Sequence, residues 1–310
     1  MRKTMVLACL LASSSTAMAH EAMNLEDLLS GWNIDLASAQ VSSQELAPGI
    51  HALFGAGGNV VASIGDQGVL MVDSQFPAMI PKLQAEIGKL GGGEIEFTIN
   101  THWHFDHADG NPALGRMGSW MVSHINSRKM MLNEHPIDLV SVLYDQPPYP
   151  PEGLPVITYD NRMQFFFNGE RIDLLHFSPA HTTGDTAVIF RGSNVVHMGD
   201  VFNAGYPFID YGNGGSLDGM IEFIGATIGE LNEDSIVVPG HGPVMARADM
   251  VEFLNMLKTT RDRIAALIDA GQSLDEVIAA GPTADFDERY GNPGLYINRA
   301  YHSLSQQGPR

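Results

Sequence analysis

Cysteine is nearly missing from this 310-residue chain: there is one, Cys9. An internal disulfide and a thiolate metal cluster are therefore both excluded. Basic residues are scarce as well, with 17 Lys and Arg against 36 Asp and Glu, a formal charge of −19. Such a surface repels phosphate backbones, which argues against nucleic acid as a partner. Beyond the N-terminus no apolar run approaches the roughly eighteen residues a membrane-spanning helix needs. Glycine and proline show no period, so collagen-like and low-complexity classes also fall away. What is present is a 44% hydrophobic composition, enough for a sizeable core, and twelve histidines. That many imidazoles supply material for metal sites.

The first residues read as an export signal. Arg2 and Lys3 are followed by the apolar run Met5–Leu11, and Ala17-Met18-Ala19 forms a small-x-small cleavage site before His20. The expectation is a signal peptide over 1–19, a mature chain over 20–310, and a periplasmic or secreted location. Cys9 is poorly placed for lipid attachment, because Val6-Leu7-Ala8 before it is a poor match to such a site. Cleavage after Ala19 removes it, and the loss of Arg2 and Lys3 takes the charge from −19 to −21.

Along the mature chain, strand patterns cover 50–54, 59–64 and 69–73, with Asp66-Gln67-Gly68 as a hairpin turn. A helix runs from Pro77 to Leu90, with Ile80, Leu83, Ile87 and Leu90 on one face, and Gly91-Gly92-Gly93 stops it. Further strands are expected at 95–99, 119–123, 156–160, 163–167, 171–177, 186–190, 194–198 and 235–238, and helices at 125–133 and 216–231. The proline-rich stretch 145–155 reads as irregular, either a linker or a lid. From about Ala246 the chain reads as helical to its end and as part of the same domain. Two strand-rich halves with outer helices predict an α/β sandwich of two sheets.

The strand at 95–99 runs into His102-Trp103-His104-Phe105-Asp106-His107, four metal-competent side chains in six residues. On an extended loop residues 102 and 104 point the same way, so both imidazoles can reach one ion. Asp106 and His107 then face a second ion beside it. Burying four such groups without a cation would leave them in need of partners. Three more candidates follow apolar runs: His181 in Ser178-Pro-Ala-His-Thr-Thr-Gly-Asp185, Asp200 in Val195-Val-His-Met-Gly-Asp, and His241 in Val237-Val-Pro-Gly-His-Gly-Pro243.

These motifs, in this order over residues 50–245, resemble the metallo-β-lactamase superfamily, which includes lactamases, glyoxalase II-like thioesterases and lactonases. The resemblance implies an αββα sandwich of two mixed sheets flanked by helices, with two zinc ions at one edge; iron or manganese would suit the same ligands. It implies that His102, His104 and His181 hold the first ion, that Asp106, His107 and His241 hold the second, and that Asp200 bridges them. Asp73, after the strand at 69–73, matches the place of an acid beneath the metal loop. Three neutral imidazoles leave the first ion an open position, as a catalytic site requires. Two ions can share one hydroxide and polarise a carbonyl. Asp106 is the expected catalytic residue, able both to ligate and to orient the attacking oxygen.

The substrate is less legible, because the fold does not name it. Lactamases of this superfamily usually carry Cys or Ser where this chain has Asp200, and Asp there looks more like the glyoxalase II and lactonase branches. Residues 201–215 contain no Lys or Arg to clamp glutathione, and the position three beyond Asp200, a tyrosine in many lactonases, is Asn203. Trp103, Phe105, Tyr206, Phe208 and Tyr211 are candidates for the pocket wall, with Asn203 or Asn213 to bond a substrate carbonyl or carboxylate. The expected activity is hydrolysis of a small cyclic amide or ester, with β-lactams, and so antibiotic resistance, as the best single guess. A thioesterase or lactonase is the alternative, and a non-catalytic periplasmic metal-binding accessory protein is the reading outside enzymology.

Overall fold

A computed structural model describes residues 22–306. The expected signal peptide, its cleavage site after Ala19 and Cys9 lie outside the described residues. The first sheet contains β1 (Ser42–Ala47), β2 (Ile50–Phe54), β3 (Val60–Gly65), β4 (Gly68–Val72), β5 (Ile95–Ile99) and β6 (Trp120–His124). A separate hairpin, β7 (His135–Asp138) and β8 (Leu143–Gln146), precedes its seventh strand, β9 (Ile157–Tyr159). The second sheet comprises β10 (Arg162–Phe167), β11 (Glu170–Leu175), β12 (Ala187–Phe190), β13 (Val195–His197), β14 (Ile236–Val238) and β15 (Met245–Ala246). Both sheets are mixed: β4 to β6 and β9 run parallel in the first, and β13 and β14 in the second.

The helices are α1 (Leu25–Gly31), α2 (Ile80–Lys89), α3 (Phe105–Ala108), α4 (Asn111–Arg116), α5 (Ile125–Met131), α6 (Leu217–Gly229), α7 (Arg247–Asp269), α8 (Leu274–Ala280), α9 (Asp287–Tyr290) and α10 (Gly294–Ser305). Among the described residues no helix is long and apolar enough to cross a membrane.

The strands are apolar on both faces because each face meets a different layer. Leu70 and Val72 of β4 join Val188 and Phe190 of β12 and Val238 of β14 in the core between the sheets. Their neighbours Val69 and Met71 turn outward onto Leu83 and Ile87 of α2. On the far side, Val196 and Val237 pack with Phe223 of α6, Phe253 of α7 and Tyr296 of α10. The result is the four-layer αββα sandwich that the motifs imply.

Several local expectations are corrected. Asp145 and Gln146 lie in β8 and Pro151–Gly153 form a 3-10 turn, so 145–155 is not irregular throughout. None of residues 145–155 lines the cleft beside His104 and His241. Gln146 is buried, donates to Trp103 O at 2.8 Å and accepts from Phe105 N at 2.9 Å, bracing the histidine-rich loop from behind. That loop is extended only as far as His104, and Asp106 and His107 sit on the helical turn α3.

Candidate metal centre

The candidate ligands all lie just beyond strand ends, on loops or short helical turns. His102 to His107 follow β5, His181 sits between β11 and β12, Asp200 follows β13, and His241 follows β14. Backbone bonds tie these loops together: Thr186 N donates to Thr101 O, Gly240 N to Gly199 O, and Asn59 N to Gly240 O. Asn59 further clamps the His241 loop through bonds from its amide to Pro239 O and Gly242 O, both at 2.9 Å.

Three sets of donors converge, with ligand atoms within 4.8 Å of one another: His102 with His104 and His181, His102 with His107 and Asp200, and Asp106 with His107 and His241. The outward nitrogens decide what faces inward. His104 Nε2 donates to Asp210 Oδ2 at 3.0 Å, and His181 Nδ1 donates to Phe208 O at 2.8 Å. Their inward nitrogens, Nδ1 and Nε2, stand 2.8 Å apart. With both outer protons committed, two neutral rings bring two lone pairs face to face.

Protonation of His181 does not relieve this contact readily. Burial and the neighbouring His104 hold the His181 pKa down to about 4. Burial and the surrounding imidazoles push His102 lower than its ordinary value as well. His102 Nε2 and Asp200 Oδ1 are buried without any hydrogen-bond partner. A cation among these atoms resolves both the facing lone pairs and the orphaned acceptors, so the donor set fits a metal. The second cluster is built to attract positive charge. Burial opposes charge on His241, but Asp200 and Asp106 outweigh it and lift its pKa to about 10.

Supporting contacts reach below the ligands. Asp73, fully buried, accepts from His107 Nδ1 at 2.7 Å and from Thr101 N and Oγ1 at 2.7 Å each. Thr101 Oγ1, which donates to Asp73, lies 3.0 Å from His102 Nδ1 and accepts a hydrogen bond from that N–H. Asp185 accepts from Thr182 N and Oγ1 and from Ala180 N, which shapes the loop carrying His181. Asn203 accepts from His241 N at 2.8 Å, so this predicted substrate residue positions a ligand loop instead.

The profile of the metallo-beta-lactamase superfamily matches residues 55–243, more than half of the sequence. The chain belongs to that superfamily. Solved structures agree on the fold. DIM-1 metallo-beta-lactamase is 17% identical over 71% of this chain and 97% of its own, with a TM-score of 0.56. A metallo-beta-lactamase from Pontibacter korlensis is 16% identical over 71% of this chain and 99% of its own, also at 0.56. The inverting sec-alkylsulfatase Pisa1 from Pseudomonas sp. is 12% identical over 86% of this chain but 50% of its own, at 0.65. A sequence search among curated proteins finds no match.

In this superfamily member the cleft over the donor set is lined by Trp32, Phe105, Ile137, Leu139, Phe208 and Leu295, above His104, Asp106, His181, Asp200 and His241. Of the aromatic candidates, Phe105 and Phe208 are there. Trp103 is not: it is buried and packs against His104 and His135. The two-residue period that turns His102 and His104 to one side turns Trp103 to the other. Tyr206 stacks on Tyr296 and donates to Asp287, and Tyr211 stacks on His302, so both face the C-terminal helices. Asn213 bonds Asp210 and Pro136 O. Sequence reasoning missed Trp32, Asp210, Thr101 and Asn59. Only Thr101, adjoining the first ligand, carries a signal that could have found it.

Proposed function

We propose that the protein is a dinuclear metal-dependent hydrolase, with zinc as the resident metal, that opens a small cyclic amide or ester. The observation that carries this reading is the pair of bare nitrogens on His104 and His181, 2.8 Å apart with their outer protons already committed. His102, His104 and His181 would hold one ion, Asp106, His107 and His241 the other, and Asp200 both. When bound, such ions supply Lewis acidity towards a carbonyl and a nucleophilic oxygen at neutral pH.

The protein's own groups supply orientation. Asp106 Oδ2 lies 3.0 Å from His241 Nε2 and lines the cleft, where it can accept a proton from an attacking water and hold its lone pair towards the substrate. Asp200 lies 3.1 Å from His107 Nε2 and 3.8 Å from His181 Nε2, between the two donor sets. Trp32, Phe105 and Phe208 give the cleft an apolar wall for the body of the substrate.

A β-lactam is the first cyclic amide to test, supported by neighbours that are metallo-beta-lactamases. The aspartate at position 200 favours a second reading, an ester, thioester or lactone hydrolase. The test is hydrolysis of a chromogenic cephalosporin and of a neutral aryl ester by zinc-loaded protein, with His104→Ala as the blank. Turnover lost in the variant and stopped by a chelator supports the hydrolase. Loss of neither substrate above the blank, in protein holding two ions, overturns it. We also propose that the protein acts after export; a purified mature form whose N-terminus is not near His20 would contradict this.

A further inference from the structure

The six side chains that wall the cleft above the donor set carry no charge, and the cleft volume is about 230 Å³. A dry apolar cavity of roughly 150 Å³ accommodates benzene, so there is room here for one ring and a short linker. Among the described residues no Lys or Arg lines the cleft. On α10, which supplies Leu295 to the wall, the one Arg is already committed. Arg299 of α10 is buried, donates to Asp138 O at 2.9 Å, pairs with the Asp138 carboxylate at 3.0 Å, and covers the Tyr211 ring at 4.8 Å.

Trp32 is the most exposed part of this wall. It follows α1 directly, and its N–H bonds Leu28 O and Leu29 O, while the Leu28 and Leu29 side chains are buried. Its indole lies 6.3 Å from the Phe105 ring at 25°, and the residue is 45% exposed. A rigid helix thus sets a half-open aromatic surface beside the donor set, suited to a flat apolar group.

We infer that the cleft selects substrates whose group facing this wall is apolar and uncharged, and that Trp32 is a specificity-determining residue. This rests on the hydrolase reading and names its substrate class. A carboxylate pressed against this wall would lose water without gaining a partner.

The test pairs 4-nitrophenyl valerate with 4-nitrophenyl hemiglutarate, which places a carboxylate at the far end of the same acyl chain, away from the donor set. The neutral ester should have a kcat/KM at least about tenfold higher. Trp32→Ala should lower the neutral value about tenfold and so shrink the preference. Leu295→Lys should raise the anionic value.

A binding arm uses the unreactive counterparts, valeranilide and glutaranilic acid, followed by isothermal titration calorimetry. Tighter binding of the neutral anilide, lost in Trp32→Ala, supports the assignment. Equal binding of the two anilides, or equal turnover of the two esters, overturns it even where metal-dependent hydrolysis is intact. Anilide preference with no turnover of either ester contradicts the hydrolase reading and leaves the selective cleft standing.

Discussion

Asp73 Oδ2 and His107 Nδ1 meet at 2.7 Å, both side chains fully buried. The same carboxylate reaches His102 through Thr101, so one residue orients an imidazole from each donor set. Asp73 adopts φ +65° straight after β4, a conformation uncommon outside glycine. The neighbouring loops over-determine it: Asp73 N donates to Ile99 O, and Ser74 N to His107 O.

Asp73→Asn should weaken metal binding about 10- to 100-fold, because an amide cannot accept from both His107 and Thr101 with the same geometry. Competition against a chromophoric chelator measures this, with circular dichroism to confirm folding. Wild-type affinity in the variant would remove Asp73 from the account.

Two glycines are required by contact with ligands. A Cβ on Gly58 would lie 2.0 Å from the His107 ring, and one on Gly240 would lie 1.9 Å from Asp200 Oδ1. Gly58→Ala and Gly240→Ala should each lower kcat at least about 100-fold through ligand displacement. Steady-state kinetics on folded variants decides it. Unchanged kcat would mean that the ligands are not held where these contacts place them.

The fold was legible where each residue's partner layer leaves a mark nearby. The doubly apolar strands β3, β4 and β12 read as strands because both of their faces are buried. The ligand motifs read as a site because several donors crowd a single strand end. Trp32 and Asp210 could not be found this way, since they lie 73 and 106 positions from their partners Phe105 and His104. The prolines near 145–155 suggested irregular backbone, yet they follow β8 and do not interrupt it, and Pro136 is accepted in the two-stranded hairpin opposite Asp145.

Acid sensitivity should trace in part to Asp173, away from the cleft. Arg171 and Arg191, with Gln164, hold its carboxyl well below the usual carboxylate range, against the opposing effect of burial. A depressed folded-state pKa gives stability that is present above the unfolded value of about 3.9 and lost as pH falls below it. Asp173→Asn should therefore be clearly less stable than wild type at pH 7, with the gap narrowing towards pH 3. Denaturant melts at both pH values test this, and a constant gap would contradict it.

Chelation should lower the melting temperature, and zinc should restore it in a concentration-dependent way, since ions held by four segments that only the fold brings together bind the folded state. Differential scanning fluorimetry with and without EDTA reads the shift. His104→Ala should show a smaller shift. An EDTA-insensitive melt in protein that carried metal would contradict a structural coupling between site and fold.

The most direct test of the central claim is the number of divalent ions per chain. Elemental analysis of zinc-reconstituted protein after desalting should give two equivalents, with one lost in Asp200→Ala. A folded wild-type protein that retains no divalent ion would contradict the metal centre, and with it the hydrolase built on it.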